Sequence, residues 1–395
     1  MAALIDVARA RALVLDWAAL LPSEPVGLAD ALGRVIAEDA TSDGDLPPFD
    51  SSAMDGYAVS AGPGAELPVV GESRAGHPAG QTLRTGEAMV ISTGAQVPAG
   101  ADAVVPVERT EVVDGRVRVP DAAPGDHVRR AGEDVRAGTL VIRAGTALGP
   151  AELGVLAALG RPEVACGRRP RVTVAVTGDE LVEPGAPLAP GQIRDSNAYS
   201  LSAQAERAGA TVVRREVVPD DPEATRRALE AALEESDVVC VSGGVSVGPH
   251  DHVKPALIDI GVEEVFWRVA LKPGKPTWFG VLGEKLVFGL PGNPVSAMVT
   301  FHLFVRPALR RLAGAEPLYT LTHAVLDRCV ERQPERDEVV RCRLEARADG
   351  WHVEPTKEQG SHVLTSMLGA GAFALVEAGE GAVEAGSSVP IELLF

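Results

Sequence analysis

The spacing of apolar and polar residues predicts segments of different architecture along this chain of 395 residues. Helical patterns are few in the N-terminal part, where they cover residues 4–21, 27–38 and about 150–160. Between Tyr57 and about residue 147, short valine-rich runs are separated by glycine and proline, as in Ala88–Thr93, Ala103–Val107 and Val117–Val119. Runs of this length and spacing are typical of an all-β module.

The pattern changes at Pro170, after which apolar runs of strand length alternate with helical patterns. The predicted strands are Arg171–Thr177, Thr211–Val218, Asp237–Ser242 and Glu264–Val269, and the predicted helices are Ala198–Ala208, Pro222–Glu235, Asp251–Asp259 and Pro294–Ala313. This alternation predicts a largely parallel sheet with helices on both faces, in which ligands bind beyond the carboxyl ends of the strands. After Glu316-Pro317, short strands with glycine turns predict a small β-barrel or sandwich.

Composition narrows the classes of function. The length is enough for about two to four domains. The formal net charge of -18 argues against a nucleic acid or an anionic membrane as a partner, because both bind basic surfaces. Residues 286–305 are uncharged, but glycine and proline interrupt them near their start, which indicates buried core and not a membrane span.

The four cysteines contain no CxxC pair, which indicates neither a zinc site nor a disulfide framework. The N-terminal segment mixes acidic and arginine residues on a helical pattern, unlike a signal peptide. A cytoplasmic location is therefore expected.

Three loops at predicted strand ends are suited to holding anions: Ser242–Gly248 with Asp251, Lys272–Pro276 and Gly289–Ala297. Backbone N–H groups and helix N-termini bind phosphate and other oxoanions, and glycine permits a close approach. The chain contains only five lysines, yet Lys272 and Lys275 stand three residues apart in the second loop. A ligand rich in phosphate or oxoanion is therefore expected.

Each loop also has a purely structural interpretation. Asp251 can cap the helix that follows it, the two lysines can be solvated loop residues, and Asn293 can cap the helix that begins near Pro294. For Asp195–Asn197, which precedes another predicted helix, capping is the preferred interpretation.

Further polar segments carry less information when they are taken singly. Thr177–Glu180 places two carboxylates at a strand end. Asp55 and the segment Arg129–Asp134 each resemble ordinary turns, and the histidines at 250 and 252 are expected to face solvent.

Taken together, the motifs resemble those of the molybdopterin molybdenumtransferase family, which includes the bacterial MoeA proteins and the E domain of gephyrin. Phe49–Val59 is similar to the family signature FDNSAMDGYAV, with Ser51 in place of the usual asparagine. Other matching motifs, spread over nearly the whole chain, are Ser92–Gly94, Arg129–Asp134, Thr177–Leu181, Gln192–Asn197, Ser242–Gly248, Lys272–Pro276, Gly289–Ala297 and Gln359–Ser361. Arg268 departs from the lysine that many relatives have, although a cation is retained.

The resemblance implies an α/β protein with all-β modules, arranged as an elongated four-part protomer that forms a homodimer. A central three-layer α/β molybdopterin-binding domain is expected at residues 170–315. The other parts are an N-terminal helical linking domain, an inserted β-rich domain and a C-terminal β-barrel domain, expected at residues 1–43 with 140–169, 44–139 and 316–395. The active site would lie between the α/β domain of one subunit and the insertion of the other.

The resemblance further implies an enzyme that takes adenylylated molybdopterin and molybdate as substrates. With Mg²⁺ as its cofactor, this molybdopterin molybdotransferase would cleave the phosphoanhydride and release AMP and molybdenum cofactor. The implied protein partners are the adenylyltransferase that makes the substrate and the molybdoenzymes that receive the product. Neither a nucleic acid nor a membrane is expected as a partner.

Residue by residue, the resemblance assigns three kinds of role. The catalytic residues would be Asp55, Thr93, Asp134, Glu180, Asp251, Lys272 and Lys275. The residues that bind the pterin substrate or the oxoanion would be Ser242, Gly243, Gly244, Ser246, Gly248, Pro291, Gly292, Asn293, Pro294, Ser296, Arg341 and Ser361. The Mg²⁺ ligands would be Glu180, Asp251 and, as a weaker candidate, Asp221.

Two other functions share parts of this pattern. A molybdopterin adenylyltransferase has the same α/β fold but lacks the insertion that carries Asp55. A scaffold function like that of gephyrin would need a long linker and a trimerising domain, which this sequence does not contain.

Overall fold

The computed structural model describes residues 4–245, 251–318 and 322–394. The chain divides into two compact units, one formed by Met1–Pro25, Gly33–Ala37 and Ala165–Phe395, and the other by Val26–Leu32 and Glu38–Val164. The division into four domains stays a prediction. Across the described ranges, every helix is too short or too polar to cross a membrane.

The elements of the N-terminal part, in chain order, are α1 Val7–Trp17, β1 Ser23–Gly27, β2 Ala40–Thr41, β3 Ser51–Ser52, β4 Gly56–Val59, β5 Ala65–Ser73, β6 Ala88–Ile91, β7 Ala103–Pro106, β8 Glu111–Val113, β9 Arg116–Val119, β10 Val128–Arg129, β11 Leu140–Ile142, α2 Pro150–Ala158 and β12 Glu163–Gly167. Six of these strands form one sheet in the order β7-β4-β6-β5-β9-β8. Small β-branched and alanine side chains of β4, β6, β7 and β9 form its core. The prediction of an all-β module is confirmed.

The helix predicted at residues 27–38 is wrong. Only the short 3₁₀ turn Leu28–Asp30 forms there. Gly33 follows with a φ of 72°, a left-handed conformation that ends helical geometry. Beyond Gly33, the backbone N–H of Ala37 donates to the carbonyl of Ala165 in β12. The segment therefore pairs with a distant strand and does not continue as a helix.

The elements of the α/β region are β13 Arg171–Thr177, β14 Leu181–Val182, β15 Ile193–Arg194, α3 Asn197–Arg207, β16 Thr211–Val218, α4 Pro222–Glu235, β17 Val238–Ser242, α5 Val253–Ile260, β18 Glu263–Trp267, β19 Leu271–Lys272, β20 Trp278–Leu282, β21 Lys285–Leu290, α6 Pro294–Thr300 and α7 Arg306–Leu312, with the π-helical turn Phe301–Val305 joining the last two. The central sheet has the order β16-β13-β17-β21-β20-β18. Its first four strands are parallel, and β20 runs antiparallel to both neighbours.

The side chains of one central strand show that helices cover both faces. In β13, Val172, Val174 and Val176 pack into a core with α1, α3 and the helix that begins at Pro294, whereas Ala175 packs with α4 and α5. Because both faces are covered, β17 is buried along its whole length, and its residues before Ser242 form a continuous apolar run. The three-layer α/β prediction is confirmed.

Two features of this region refine the predicted elements. Strand β20 had no counterpart among the predicted elements, and it pairs with β21 through a tight turn in which Gly283 has a φ of 58°. The uncharged stretch 286–305 consists of β21, a short loop and helical turns that are mostly buried, so its interpretation as core is confirmed.

The C-terminal elements are β22 Thr322–Leu326, β23 Val330–Glu331, β24 Asp337–Arg347, β25 Gly350–Pro355, β26 Ala372–Val376, β27 Ala382–Val383 and β28 Ser388–Leu393. Five of them close into a barrel in the order β24-β25-β22-β28-β26, because β24 also pairs with β26. Apolar side chains from all five strands fill its interior. The predicted C-terminal β-barrel is confirmed.

Candidate active site

The strand ends that carry the predicted loops lie at one edge of the central sheet. Strands β13, β17 and β21 are parallel, so Thr177, Ser242 and Leu290 end at the same edge. Strand β18 runs in the same direction, because it is antiparallel to β20 and β20 is antiparallel to β21. The lysine-containing loop therefore also follows this edge of the sheet.

A cavity of about 690 Å³ opens at this edge, and we call it the strand-end cavity. Eight residues with predicted roles line it: Glu180, Ser242, Gly243, Gly244, Asp251, Gly292, Asn293 and Pro294. Further lining residues without an assigned role include Thr177, Asp195, Asn197, Asp220 and His362. The size is that of a typical small-molecule site.

The glycine turn after β17 is required by its backbone. Gly243 and Gly244 have φ values of 95° and 65°, which disfavour any other residue. A Cβ on Gly243 would lie 2.7 Å from the Thr177 hydroxyl oxygen, closer than van der Waals contact allows. Only glycine therefore permits the ends of β13 and β17 to approach each other beside the cavity.

Asn197 joins two of the loops. Its Nδ2 donates to the Ser242 hydroxyl at 2.9 Å and to the Gly292 carbonyl at 2.8 Å. The Ser242 hydroxyl in turn donates to the Pro291 carbonyl at 3.0 Å. These buried bonds hold the end of β17 against the loop that follows β21, so Ser242 positions the backbone of the cavity wall.

The carboxylates of the cavity differ in their roles. Asp195 is buried, and its Oδ1 accepts from the Ala198 N–H at the start of α3, as the capping interpretation predicted. Burial raises the pKa of Asp195 above its ordinary value, although backbone hydrogen bonds oppose the shift. Glu180 and Asp220 are exposed at the cavity wall. Among the lining residues that the structure describes, Arg194 is the one lysine or arginine, so carboxylates dominate the charge.

Asp221 and Asp220 are neighbours with different surroundings. Asp221 caps α4, because its Oδ1 accepts from the Ala224 N–H at 2.8 Å, and it does not line the strand-end cavity. Asp220 does line it, and its own N–H donates to Asp179 at 3.1 Å. Asp221 stands directly before Pro222, where the predicted helix begins, and this is a local signal of an N-cap. No local signal places Asp220 at the cavity.

The described residues contain no preformed group of three or more histidine, cysteine or acidic side chains that would enclose a metal ion. Mg²⁺ does not need such a cage, because it keeps several waters and commonly binds one or two carboxylates together with substrate phosphates. The oxygen donors Glu180, Asp220 and Asp251 in one cavity fit that mode of binding.

The lysine loop does not line the strand-end cavity. Lys272 forms an ion pair with Glu338 of the barrel strand β24, at an Nζ to Oε1 distance of 3.1 Å. Glu338 is buried, and among the residues that the structure describes its second carboxylate oxygen has no hydrogen-bond donor. Lys275 is exposed. The structure therefore brings two of the three anion-holding loops together and leaves the roles of the two lysines as predictions.

Arg341 and Ser361 belong to the C-terminal region but act differently. Arg341 is completely buried, and its guanidinium donates to the Ser366 hydroxyl and to the carbonyls of Glu358 and Gly360. Burial lowers the pKa of Arg341. The Ser361 hydroxyl accepts from Asn293 Nδ2 at 3.1 Å and thus contacts a residue of the cavity wall.

The remaining predicted residues lie elsewhere. Asp55 and Thr93 meet in the other unit, where the Thr93 N–H donates to Asp55 Oδ1 at 2.6 Å, and Asp134 donates its N–H to the Leu46 carbonyl. Ser296 is buried in the first turn of α6. The predictions for Ser246 and Gly248 lie outside the described residues.

The fold and the cavity define the class of this protein: a multidomain α/β protein with a β-barrel and an acidic strand-end cavity. Residues 5–160 match the MoeA N-terminal region (domains I and II), residues 173–311 match the family described as "probable molybdopterin binding domain", and residues 323–394 match the MoeA C-terminal region (domain IV). The chain belongs to the MoeA family.

Individual relatives agree with this assignment. A protein of Haemophilus influenzae named molybdopterin molybdenumtransferase is 38% identical over 378 residues, which cover 94% of this chain and 93% of the relative. Molybdopterin molybdenumtransferase 2 of Mycobacterium tuberculosis is 44% identical over 310 residues, covering 74% and 76% of the two chains. The crystal structure of the molybdopterin biosynthesis MoeA protein of Pyrococcus horikoshii has a TM-score of 0.84 and 32% identity, covering 99% of this chain and all of that one.

Proposed function

We propose that this chain is a molybdopterin molybdenumtransferase, which inserts molybdate into adenylylated molybdopterin and releases AMP. The observation that carries the proposal is the strand-end cavity, where residues of several family motifs converge in one chain of the MoeA family. Its volume is sufficient for a substrate of drug-like size. Cleavage of a phosphoanhydride depends on positioning and charge neutralisation more than on a strong nucleophile.

The chain's own residues would hold the substrate in two ways. The turn at Gly243 and Gly244 allows close approach to the backbone, and Asn293 is the N-cap residue of α6 at the cavity wall. Asn197 keeps these two loops at a constant separation through its bonds to Ser242 and Gly292. Preorganised positioning of this kind lowers the barrier without any proton transfer.

Glu180, Asp220 and Asp251 are the residues that would hold Mg²⁺ in the strand-end cavity. Without a cation, these carboxylates would repel a phosphate-bearing substrate, because like charges within a few ångströms destabilise each other. When bound, Mg²⁺ would supply neutralisation of the phosphate charge. We assign this role to Asp220 in preference to Asp221, since Asp221 is engaged as the cap of α4.

The wider assignment completes this proposal. Lys272 and Lys275 would bind molybdate, and Asp55, Thr93 and Asp134 would reach the cavity from the second subunit of a homodimer. The four cysteines are unpaired thiols, which supports a reducing cytoplasm as the location. Sedimentation of the purified protein tests the dimer: a monomer at micromolar concentration would remove the second-subunit residues from the site.

The reaction is tested by incubating the purified protein with adenylylated molybdopterin, molybdate and Mg²⁺. Release of AMP that depends on molybdate supports the insertion reaction. Incorporation of AMP from ATP into molybdopterin, without molybdate dependence, would instead identify an adenylyltransferase.

The contribution of the other unit is tested with Asp55→Asn. The exchange removes the negative charge but keeps an oxygen that can accept from the Thr93 N–H. We expect turnover to be abolished while the far-ultraviolet circular dichroism stays unchanged. Full activity in this variant would contradict a role for Asp55 in the site.

A further inference from the structure

A second cavity, of about 450 Å³, lies in the C-terminal region and shares no lining residue with the strand-end cavity. Three cations line it: Arg328, Arg343 and Lys357. Arg328 is paired with Glu354, at an Nη2 to Oε1 distance of 2.5 Å. Within the described ranges, Arg343 and Lys357 form neither an ion pair nor a side-chain hydrogen bond.

The charge of this cavity is opposite to that of the chain. The protein has a formal net charge of -18 and only five lysines, yet the cavity wall carries more cations than carboxylates. Glu354 is already neutralised by its arginine partner, which leaves Glu358 as the remaining acidic wall residue. Counted against Glu358, the exposed side chains of Arg343 and Lys357 leave the cavity wall with an excess of one positive charge.

The donors of the wall suit one kind of ligand. A guanidinium offers a planar fork of N–H groups, an ammonium offers a compact charge, and the exposed Thr365 contributes a hydroxyl. Together these groups match the oxygens of a tetrahedral oxoanion, for which charge-assisted hydrogen bonds are the strongest available contacts.

One segment of chain, residues 356–366, borders both cavities. Lys357 and Glu358 line the second cavity, whereas His362 lines the strand-end cavity. The carbonyl of Ser361 accepts from the Val295 N–H at 3.1 Å, which ties the segment to the first turn of α6.

The interior of the segment is held as a unit. The Gln359 side chain accepts from the Arg341 N–H and donates to the carbonyls of Arg341 and Thr356. The buried Arg341 guanidinium also donates to the carbonyls of Glu358 and Gly360. A conformational change on one side of the segment therefore has a continuous path of hydrogen bonds to the other side.

We propose that the second cavity binds a tetrahedral oxoanion through Arg343 and Lys357, and that the bound anion stabilises the 356–366 segment beside the strand-end cavity. The anion is either inorganic or the phosphate of a nucleotide, since both present the same oxygens. Binding itself is independent of the proposed function. An effect of the bound anion on turnover would rest on the strand-end cavity being the active site.

Isothermal titration calorimetry at constant ionic strength tests the site. Phosphate, sulfate, molybdate and AMP are titrated separately into the Lys272→Gln/Lys275→Gln variant, which removes the two lysines proposed to bind molybdate. We expect the further exchanges Arg343→Gln and Lys357→Gln to weaken binding by at least about tenfold, because two charge-assisted bonds are lost. The pair Arg226→Gln and Arg227→Gln on α4, outside both cavities, removes the same charge and is the matched control.

The ligands separate the two sources of the oxoanion. Binding of phosphate, sulfate or molybdate identifies an inorganic ligand, and binding of AMP alone identifies a nucleotide. Either result supports the site if the Arg343/Lys357 exchanges weaken binding by at least about tenfold and the α4 exchanges do not. Absence of binding by all four ligands, or equal affinity with and without Arg343 and Lys357, would overturn the proposal.

Backbone hydrogen exchange tests the link to the segment without any measurement of turnover. We expect the Val295 amide, which donates to Ser361, to exchange several-fold more slowly when the anion is bound. Unchanged exchange at Val295 under saturating anion would refute the coupling. It would leave the molybdenumtransferase reaction to be judged by its own assay.

Discussion

The adjacent aspartates Asp220 and Asp221 provide a sharp test of the site, because their exchange to alanine should affect different properties. Asp221 is the N-cap of α4 and accepts the Ala224 N–H. Asp220 lines the acidic cavity, and its hydrogen bond to Asp179 uses its backbone N–H, which alanine retains. Asp221→Ala should therefore lower stability, and Asp220→Ala should lower activity.

The sizes of both effects follow from these contacts. Loss of an aspartate N-cap costs about 1 kcal/mol of unfolding free energy, which lowers the melting temperature by roughly 2–4 °C in a unit of this size. Removal of one carboxylate that supports a bound cation lowers activity by roughly 10–100-fold. That loss corresponds to about 1.4–2.7 kcal/mol in the activation free energy.

The assay is molybdate-dependent AMP release at saturating and limiting Mg²⁺, with thermal unfolding followed in parallel. We expect Asp220→Ala to melt near the parent temperature and to require more Mg²⁺, and Asp221→Ala to melt lower with turnover close to the parent. The reverse assignment, with Asp221→Ala inactive and Asp220→Ala active, would refute the placement of the cation beside Asp220.

Two further predictions concern buried polar groups. Asn197→Ala should raise the KM for the pterin substrate and lower the unfolding free energy by about 1–3 kcal/mol, because the Ser242 hydroxyl and the Gly292 carbonyl lose their shared donor. An unchanged KM in steady-state kinetics would contradict the positioning role of Asn197. Burial alone would raise the pKa of Glu392, but the hydrogen bond to His302 and the nearby Arg11 guanidinium outweigh it and lower the pKa from 4.5 to about 2. The stability contributed by this carboxylate is therefore complete above about pH 4.5 and is lost as pH falls towards 2. In urea unfolding, the difference in unfolding free energy between the parent protein and Glu392→Gln should close over that pH window. A difference that does not depend on pH would contradict the ion pair between Arg11 and Glu392.

The comparison of predicted and observed elements has a physical pattern. Strands β13 and β16 and helix α4 have the bounds that the sequence predicted, because their apolar periodicity is local and uninterrupted. The segment 27–38 has a helix-like periodicity but contains Gly33 in a left-handed conformation, and the helix does not form. Strand β20, which lies between two glycine-containing turns, was not among the predicted strands.

The candidate site shows a similar division. Glycine-rich turns and carboxylates at strand ends were recognisable in the sequence, since their residue types are required by local backbone geometry and charge. Asn197 was interpreted as a helix-start residue, and its role in joining two loops depends on Ser242 and Gly292, which lie far away in sequence.

The sequence alone determined the alternation of strands and helices, the glycine turns and the family to which the chain belongs. These features depend on residue periods and short-range backbone conformation, which neighbouring residues specify. Only the tertiary structure decided that Asp220 and not Asp221 borders the cavity, and that Lys272 pairs with Glu338 of the barrel. Such choices depend on strand order and on contacts between distant segments, which no local pattern encodes.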